Sequence, residues 1–178
     1  MKRSKRVAAV IHCIVNQSAR AQGAAVYAGA NGDVMALLAR HGVGALQMPC
    51  PEMAFMGLDR ARDEGQSIRD VIDTPKGHDF CRRLSKGVAD AIEDYRANGY
   101  AVEAVLGGDV GSPGCAVHHL APADGRQVLA EKSGVFMTEL MAELQSRGIE
   151  VPFLQVRDSS PETLEEDLAR VEALLGRC

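Results

Sequence analysis

No stretch of this 178-residue chain is apolar for long enough to span a bilayer. Nor is there a dense basic cluster: the 20 Lys and Arg are spread along the chain and the net charge is −4. Nucleic-acid backbones are bound by concentrated positive charge, so that class of partner has no strong signal. Internal repeats and low-complexity segments are absent. A disulfide framework is missing too, since the five cysteines are odd in number and scattered. The basic start, Met1-Lys2-Arg3-Ser4-Lys5-Arg6, imitates a signal peptide. Its apolar run, however, is short, holds His12, and leads into Asn16-Gln17-Ser18-Ala19-Arg20 where a small-residue cleavage site would stand. Residues 1–5 therefore read as a solvated basic tail, and the expected compartment is the reducing cytoplasm.

What is present is an ordinary globular composition, 46% apolar with a mean hydropathy of −0.09. Strand and helix signals alternate from end to end. Residues 6–14 form a continuous apolar run, expected as a strand buried on both faces. Asp33 is expected to cap a helix over 34–41, with Leu37 and Leu38 inward and Gly42 ending it. Residues 43–48 return as a strand, and 53–75, with Gly57, Gly65 and Pro75, read as a long loop or lid. A helix is expected over 78–98, a strand over 101–106 and a Gly/Pro-rich segment over 107–114. Gly125 marks a turn. A helix from 127 or 133 to 147, a strand over 151–156 and a helix opened by Ser160-Pro161-Glu162-Thr163 follow. The pattern predicts one doubly wound, Rossmann-like three-layer α/β domain over 1–178, with a parallel sheet of four to five strands.

Three cysteines far apart in sequence stand near predicted strand ends: Cys13, Cys50 and Cys115. Parallel strands deliver their carboxyl ends to one edge, where ligands bind. Three thiolates meeting there would make a soft-metal site with a position left open. Their neighbours support that reading. Cys50 sits in Pro49-Cys50-Pro51-Glu52, where prolines fix the backbone. Cys115 ends Gly111-Ser112-Pro113-Gly114-Cys115, a turn that permits close backbone approach. Cys13 is followed by Asn16 and Gln17, polar amides that need partners and can meet a substrate or brace the site. Cys81, on the apolar face of its helix, and the terminal Cys178 are expected to be bystanders.

The set Cys13 with Asn16, the run Gln47-Met48-Pro49-Cys50-Pro51-Glu52, and Asp109 with Gly111-Ser112-Pro113-Gly114-Cys115 resembles the thiouracil desulfidase family, formerly a domain of unknown function. Asp73-Thr74-Pro75 fits its desulfidase-related subgroup. The resemblance covers about residues 6–120. It implies a [4Fe-4S] cluster held by Cys13, Cys50 and Cys115, with a fourth, open iron for the sulfur of a small thiolated substrate. It also implies non-redox sulfur removal with release of hydrogen sulfide, and proton transfers by Glu52 and Ser112. The physics agrees: a Lewis acid makes sulfur a better leaving group, a carboxylate activates water, and a hydroxyl donates to developing charge. The chain departs from its relatives at Gly114 and Ala116, where serine and glycine are common.

The alternative is a non-catalytic iron–sulfur or zinc-binding module. A zinc site would add His118 or His119 to the cysteines, although exposed loop or helix-start histidines are the simpler reading. His12 should point to the strand face opposite Cys13, as a satisfied buried imidazole. Asp109 suits an Asx-type bond within its turn, or a substrate contact. Gly107-Gly108 with Gly111 matches no phosphate-binding fingerprint. Arg20, Arg60 and Arg62 read by default as surface charge able to meet an anion, and Met48, Met53 and Met56 as gap fillers.

Overall fold

The computed structural model describes residues 2–120 and 127–176. Strand β1 (Arg6–Val10) gives way to a single helical turn, α1 (His12–Val15), and a 3-10 turn at Gln17–Ala19. Then come α2 (Gly32–Arg40), β2 (Gly44–Gln47), α3 (Pro51–Met56), α4 (Ile68–Ile72) and the long α5 (Pro75–Ala97). After β3 (Ala101–Leu106), β4 (His119–Leu120) pairs antiparallel with β5 (Val128–Leu129). Helix α6 (Val135–Ser146), β6 (Phe153–Leu154) and α7 (Pro161–Leu175) follow. The turn expected at Gly125 and the terminal Cys178 lie outside the described residues.

The main sheet runs β2-β1-β3-β6 with every pairing parallel. Helix α5 packs on α6, and α2 contacts α7, so helices flank the sheet in the three-layer, Rossmann-like arrangement. From β1 the chain first adds β2 on one side and then β3 on the other. That reversal makes the carboxyl edge between β1 and β3 the switch point where such sheets leave a crevice.

Ala8, Ala9 and Val10 of the central strand have no exposed surface, which is why β1 is uniformly apolar rather than alternating. On α5 the buried residues Gly77, Cys81, Ser85 and Ala89 recur every fourth position, along one face. Side chains this small let a neighbouring backbone come near, and Ser85 Oγ donates to Phe136 O of α6 at 3.4 Å. Cys81 is fully buried, as its apolar setting suggested. No helix among the described residues is long and apolar enough to cross a membrane.

Several expected boundaries are corrected. The ladder ends at Val10, and residues 12–15 turn as a helix, with Asn16 N donating to His12 O. Apolar residues alone do not separate a buried strand from a buried turn of helix. His12 therefore lies on α1, half-buried, with Nδ1 3.2 Å from Gln47 Nε2, and is not a buried strand residue. The cap of α2 is Asn31, whose Oδ1 accepts from Val34 N, while Asp33 sits in the first turn and accepts from Tyr27 OH. The 53–75 segment is no continuous loop or lid, because it holds most of α3 and all of α4. Helix α5 starts at Pro75 under a Thr74 cap, α6 only at Val135, and the 151–156 strand shrinks to Phe153–Leu154.

Candidate functional site

Cys13 lies in α1, immediately past the end of β1. The loop around it is braced by its own polar side chains. Gln17, 1% exposed, donates through Nε2 to Cys13 O (2.8 Å) and accepts Val26 N on Oε1. Asn16 is exposed and caps the following 3-10 turn by accepting Ser18 N. Both amides thus serve the loop's backbone. Asp158, which follows β6, reaches the same loop: Arg20 Nη2 donates to its Oδ1 at 2.6 Å, while Asn31 and Gln17 approach its Oδ2.

Cys50 is the N-cap residue of α3, and its Sγ accepts from Met53 N at 3.4 Å. Pro51 occupies the first helical turn, where its missing N–H leaves no bond unmade. This local geometry sets the thiol at the mouth of the loop and puts Glu52 in the first turn beside it. Arg60 then folds back under the loop. It is 2% exposed, donates to the carbonyls of Gly57, Leu58 and Ala19, and brings Nη2 to 3.5 Å from Cys50 Sγ. The surface reading of Arg60 is therefore corrected, as is that of Arg20, whose side chain is 15% exposed. Arg62 is the exposed one.

Cys115 closes a turn that begins at Asp109. As expected of an Asx-type turn, Asp109 Oδ1 accepts Gly111 N; its Oδ2 accepts Ser159 Oγ. Gly108 abuts the thiol so closely that a Cβ there would stand 2.7 Å from Cys115 Sγ, and its N donates to Cys115 O. Gly107, Gly108 and Gly114 leave no room for a Cβ and so serve the packing of the turn.

The turn and the Cys50 loop meet directly. Ser112 Oγ donates to Glu52 Oε1 at 3.0 Å and lies 3.0 Å from Cys115 Sγ; Gly114 N donates to the same carboxylate oxygen at 3.1 Å. Cys115 N in turn donates to Ser112 Oγ. The second carboxylate oxygen, Glu52 Oε2, faces Arg60 Nε at 3.8 Å. Two residues sixty apart in sequence and singled out for proton transfer are thus hydrogen-bonded to one another beside a thiol.

All three thiols are free and lie within electrostatic reach of one another. Burial pushes Cys13 up to about 11, against the downward pull of Arg20. Cys50 is raised by burial as well, with the Met53 N–H acting in the opposite sense. Cys115 is raised well above the usual thiol value, by burial first and then by Cys13 and Glu52. Without a ligand these are neutral thiols; a metal would deprotonate them outright. Among the described residues, no group of three or more His, Cys, Asp or Glu side chains is set to hold a metal ion. His118 and His119 each place Nε2 on a backbone carbonyl, of Val110 and Phe153 respectively, and neither begins a helix. Met48 and Met56 are buried as gap fillers.

The residues that sequence reasoning missed are Asp158 and the inward orientation of Arg20 and Arg60. Asp158 gave no motif, and only folding across 138 residues pairs it with Arg20.

A curated protein of Methanocaldococcus jannaschii, named uncharacterized protein MJ0003, is 31% identical over 98 residues. The match takes in 55% of this chain and spans about 60% of the relative's length. No protein-family profile and no solved structure matches the chain.

Proposed function

We propose that this protein removes sulfur from a small thiolated compound, such as a thiolated pyrimidine, at a [4Fe-4S] cluster ligated by Cys13, Cys50 and Cys115. The observation that carries the reading is the Glu52–Ser112–Cys115 chain of contacts, which joins an acid/base pair to one of the candidate ligands. The donor set also supports it. Three free thiols on separate segments are soft ligands of the iron–sulfur type. Cys13, Cys50 and Cys115 would hold such a cluster without having to converge on one point, as the ligands of a lone zinc must.

When bound, such a cluster supplies an open Lewis-acidic iron for the sulfur of the substrate. The net reaction is C=S plus water giving C=O plus hydrogen sulfide: oxygen replaces sulfur, both water protons end on the sulfide, and no electron is transferred. Glu52 Oε1 is occupied by Ser112 and Gly114, so Oε2 is the oxygen that takes a proton from water. Ser112 has one hydroxyl proton and two neighbours for it, Glu52 Oε1 and Cys115 Sγ. Glu52, protonated at Oε2, would return that proton to the leaving sulfide. Ser112 Oγ holds Oε1 and, once Cys115 is a thiolate, can turn its own hydroxyl toward the developing charge. The free thiols fit a reducing, cytoplasmic setting.

Anaerobic reconstitution followed by metal and sulfide analysis tests the proposal. It expects a brown protein with about four iron and four sulfide per chain, and sulfide release from 2- or 4-thiouracil or a related compound. Glu52→Ala keeps the cluster and loses turnover. Cys50→Ser loses the cluster while keeping the fold, because serine is a better N-cap for α3 than cysteine. A cluster without sulfide release from any thiolated compound would favour a non-catalytic iron–sulfur module, and a colourless protein with one zinc a zinc module.

A further inference from the structure

Each of the three sulfurs has a polar side chain beside it, and two of those side chains are cations. Arg20 Nη2 stands 3.8 Å from Cys13 Sγ, Arg60 Nη2 3.5 Å from Cys50 Sγ, and Ser112 Oγ 3.0 Å from Cys115 Sγ. Burying a guanidinium costs several kcal/mol per ion, roughly, unless its charge is answered. Arg20 has its answer in Asp158, a carboxylate only 4% exposed and held by Asn31 and Gln17 as well. Arg60 has less. Its N–H groups face three neutral carbonyls, its closest carboxylate atom is Glu52 Oε2 at 3.8 Å, and its buried Nε has no hydrogen-bond partner. A buried cation answered this incompletely, with a sulfur at its free edge, fits a site that becomes negative when loaded.

Both arginines also arrive by unrelated routes. Arg20 belongs to the loop after α1 and is anchored by a residue beyond β6. Arg60 follows α3, takes a positive φ of 55°, and is anchored on the Cys13 loop through Ala19 O. Packing alone would be served by apolar side chains of similar volume. Two independent elements instead bring charge to two separate thiols.

We infer that Arg20 and Arg60 are positioning residues that offset the negative charge of the Cys13 and Cys50 thiolates in the loaded site, with Asp158 fixing the approach of Arg20. This inference rests on the iron–sulfur reading above. Its physical consequence is separable from turnover. Hydrogen bonds and net charge around the sulfurs set the reduction potential of a cluster. Donated N–H groups and positive charge stabilise the more negative, reduced form, so both arginines raise the potential.

The test uses anaerobically reconstituted wild-type protein and the Arg20→Gln, Arg20→Lys, Asp158→Asn and Arg60→Gln variants. Iron and sulfide content is measured first, then the midpoint potential by spectroscopically monitored reductive titration. The expected result is a full cluster in each, a lower midpoint in Arg20→Gln, and substantial recovery in Arg20→Lys. Asp158→Asn, which frees Arg20, is expected to broaden or shift the transition. Arg60→Gln removes the charge beside Cys50 Sγ and is expected to lower the midpoint as Arg20→Gln does. An unshifted midpoint in Arg20→Gln and Arg60→Gln with full clusters overturns this inference and leaves the iron–sulfur reading standing. Wild-type protein that takes up no iron overturns both.

Discussion

At the scale of single residues the site turns on close contacts that leave no room for a side chain. Gly114 is the clearest case. A Cβ at this position would stand 2.6 Å from Pro51 Cγ and 3.2 Å from Glu52 Oε1. The serine that the desulfidase resemblance would place here therefore does not fit unless the proline ring or the Cys50 loop shifts. Gly114→Ser is expected to lower stability by about 1–3 kcal/mol, the usual cost of overpacking, seen as a reduced denaturant midpoint. A variant as stable as the wild type would mean that the Cys50 loop yields freely. The cysteines, Glu52 and Ser112 were legible because each stands in a short motif with chemistry of its own. Arg20 and Arg60 were not, since nothing local tells a buried arginine from a surface one. Their inward course depends on acceptors contributed by distant loops, Asp158 for one and Ala19 O for the other.

At the scale of elements, the long periodic segments were legible and the short ones were not. Helix α5 announces itself by its apolar spacing, yet its first turn was lost because the cap at Thr74 and Pro75 precedes the first apolar residue. Thr74 Oγ1 accepts Gly77 N and donates to Val71 O, so it fastens α5 to the end of α4. Removing it in Thr74→Ala should cost about 1 kcal/mol, read as a lower thermal or urea midpoint with an unchanged slope. Helices α3 and α4 escaped notice because each is only five or six residues long and held by its ends. In α4 Ser67 and Asp70 form a reciprocal capping box, a signal that was present in the sequence and passed over. Strand β1 was overextended for the opposite reason: apolar burial continues from the strand into α1, so composition does not change where geometry does. For the site this matters, because the helical turn, not the strand, carries Cys13.

At the scale of the whole molecule, the three layers are also tied by polar clamps. Arg6 bonds Glu103 on the neighbouring strand and also reaches His41 O after α2 and Leu175 O at the end of α7. On the other face, His78 of α5 places Nδ1 2.9 Å from Glu139 Oε1 on α6 and Nε2 3.0 Å from Asp73 Oδ1. A ring with a carboxylate at each nitrogen must donate twice, so this arrangement favours imidazolium. Its pKa is accordingly raised above the usual 6.5, by Glu139 first and Asp73 second. Arg82 shares Glu139, and Arg69 shares Asp73. Since the folded pKa lies above the unfolded one, the stabilisation is fully present below about pH 6.5. It is lost as pH rises through the raised value. With the ring more than a third exposed and two arginines competing for its partners, screening holds the amplitude to about 1 kcal/mol or less. Urea unfolding of wild type and His78→Gln across pH 5.5–8.5 (roughly the span of histidine titration) measures it. The stability gap between the two should be widest at the acid end and close toward the alkaline end. A gap that stays constant would show the clamp to be a neutral contact, with α5 and α6 joined by their buried small-residue seam and by the ion pairs of Arg82 with Glu139 and of Arg147 with Asp90 and Glu93.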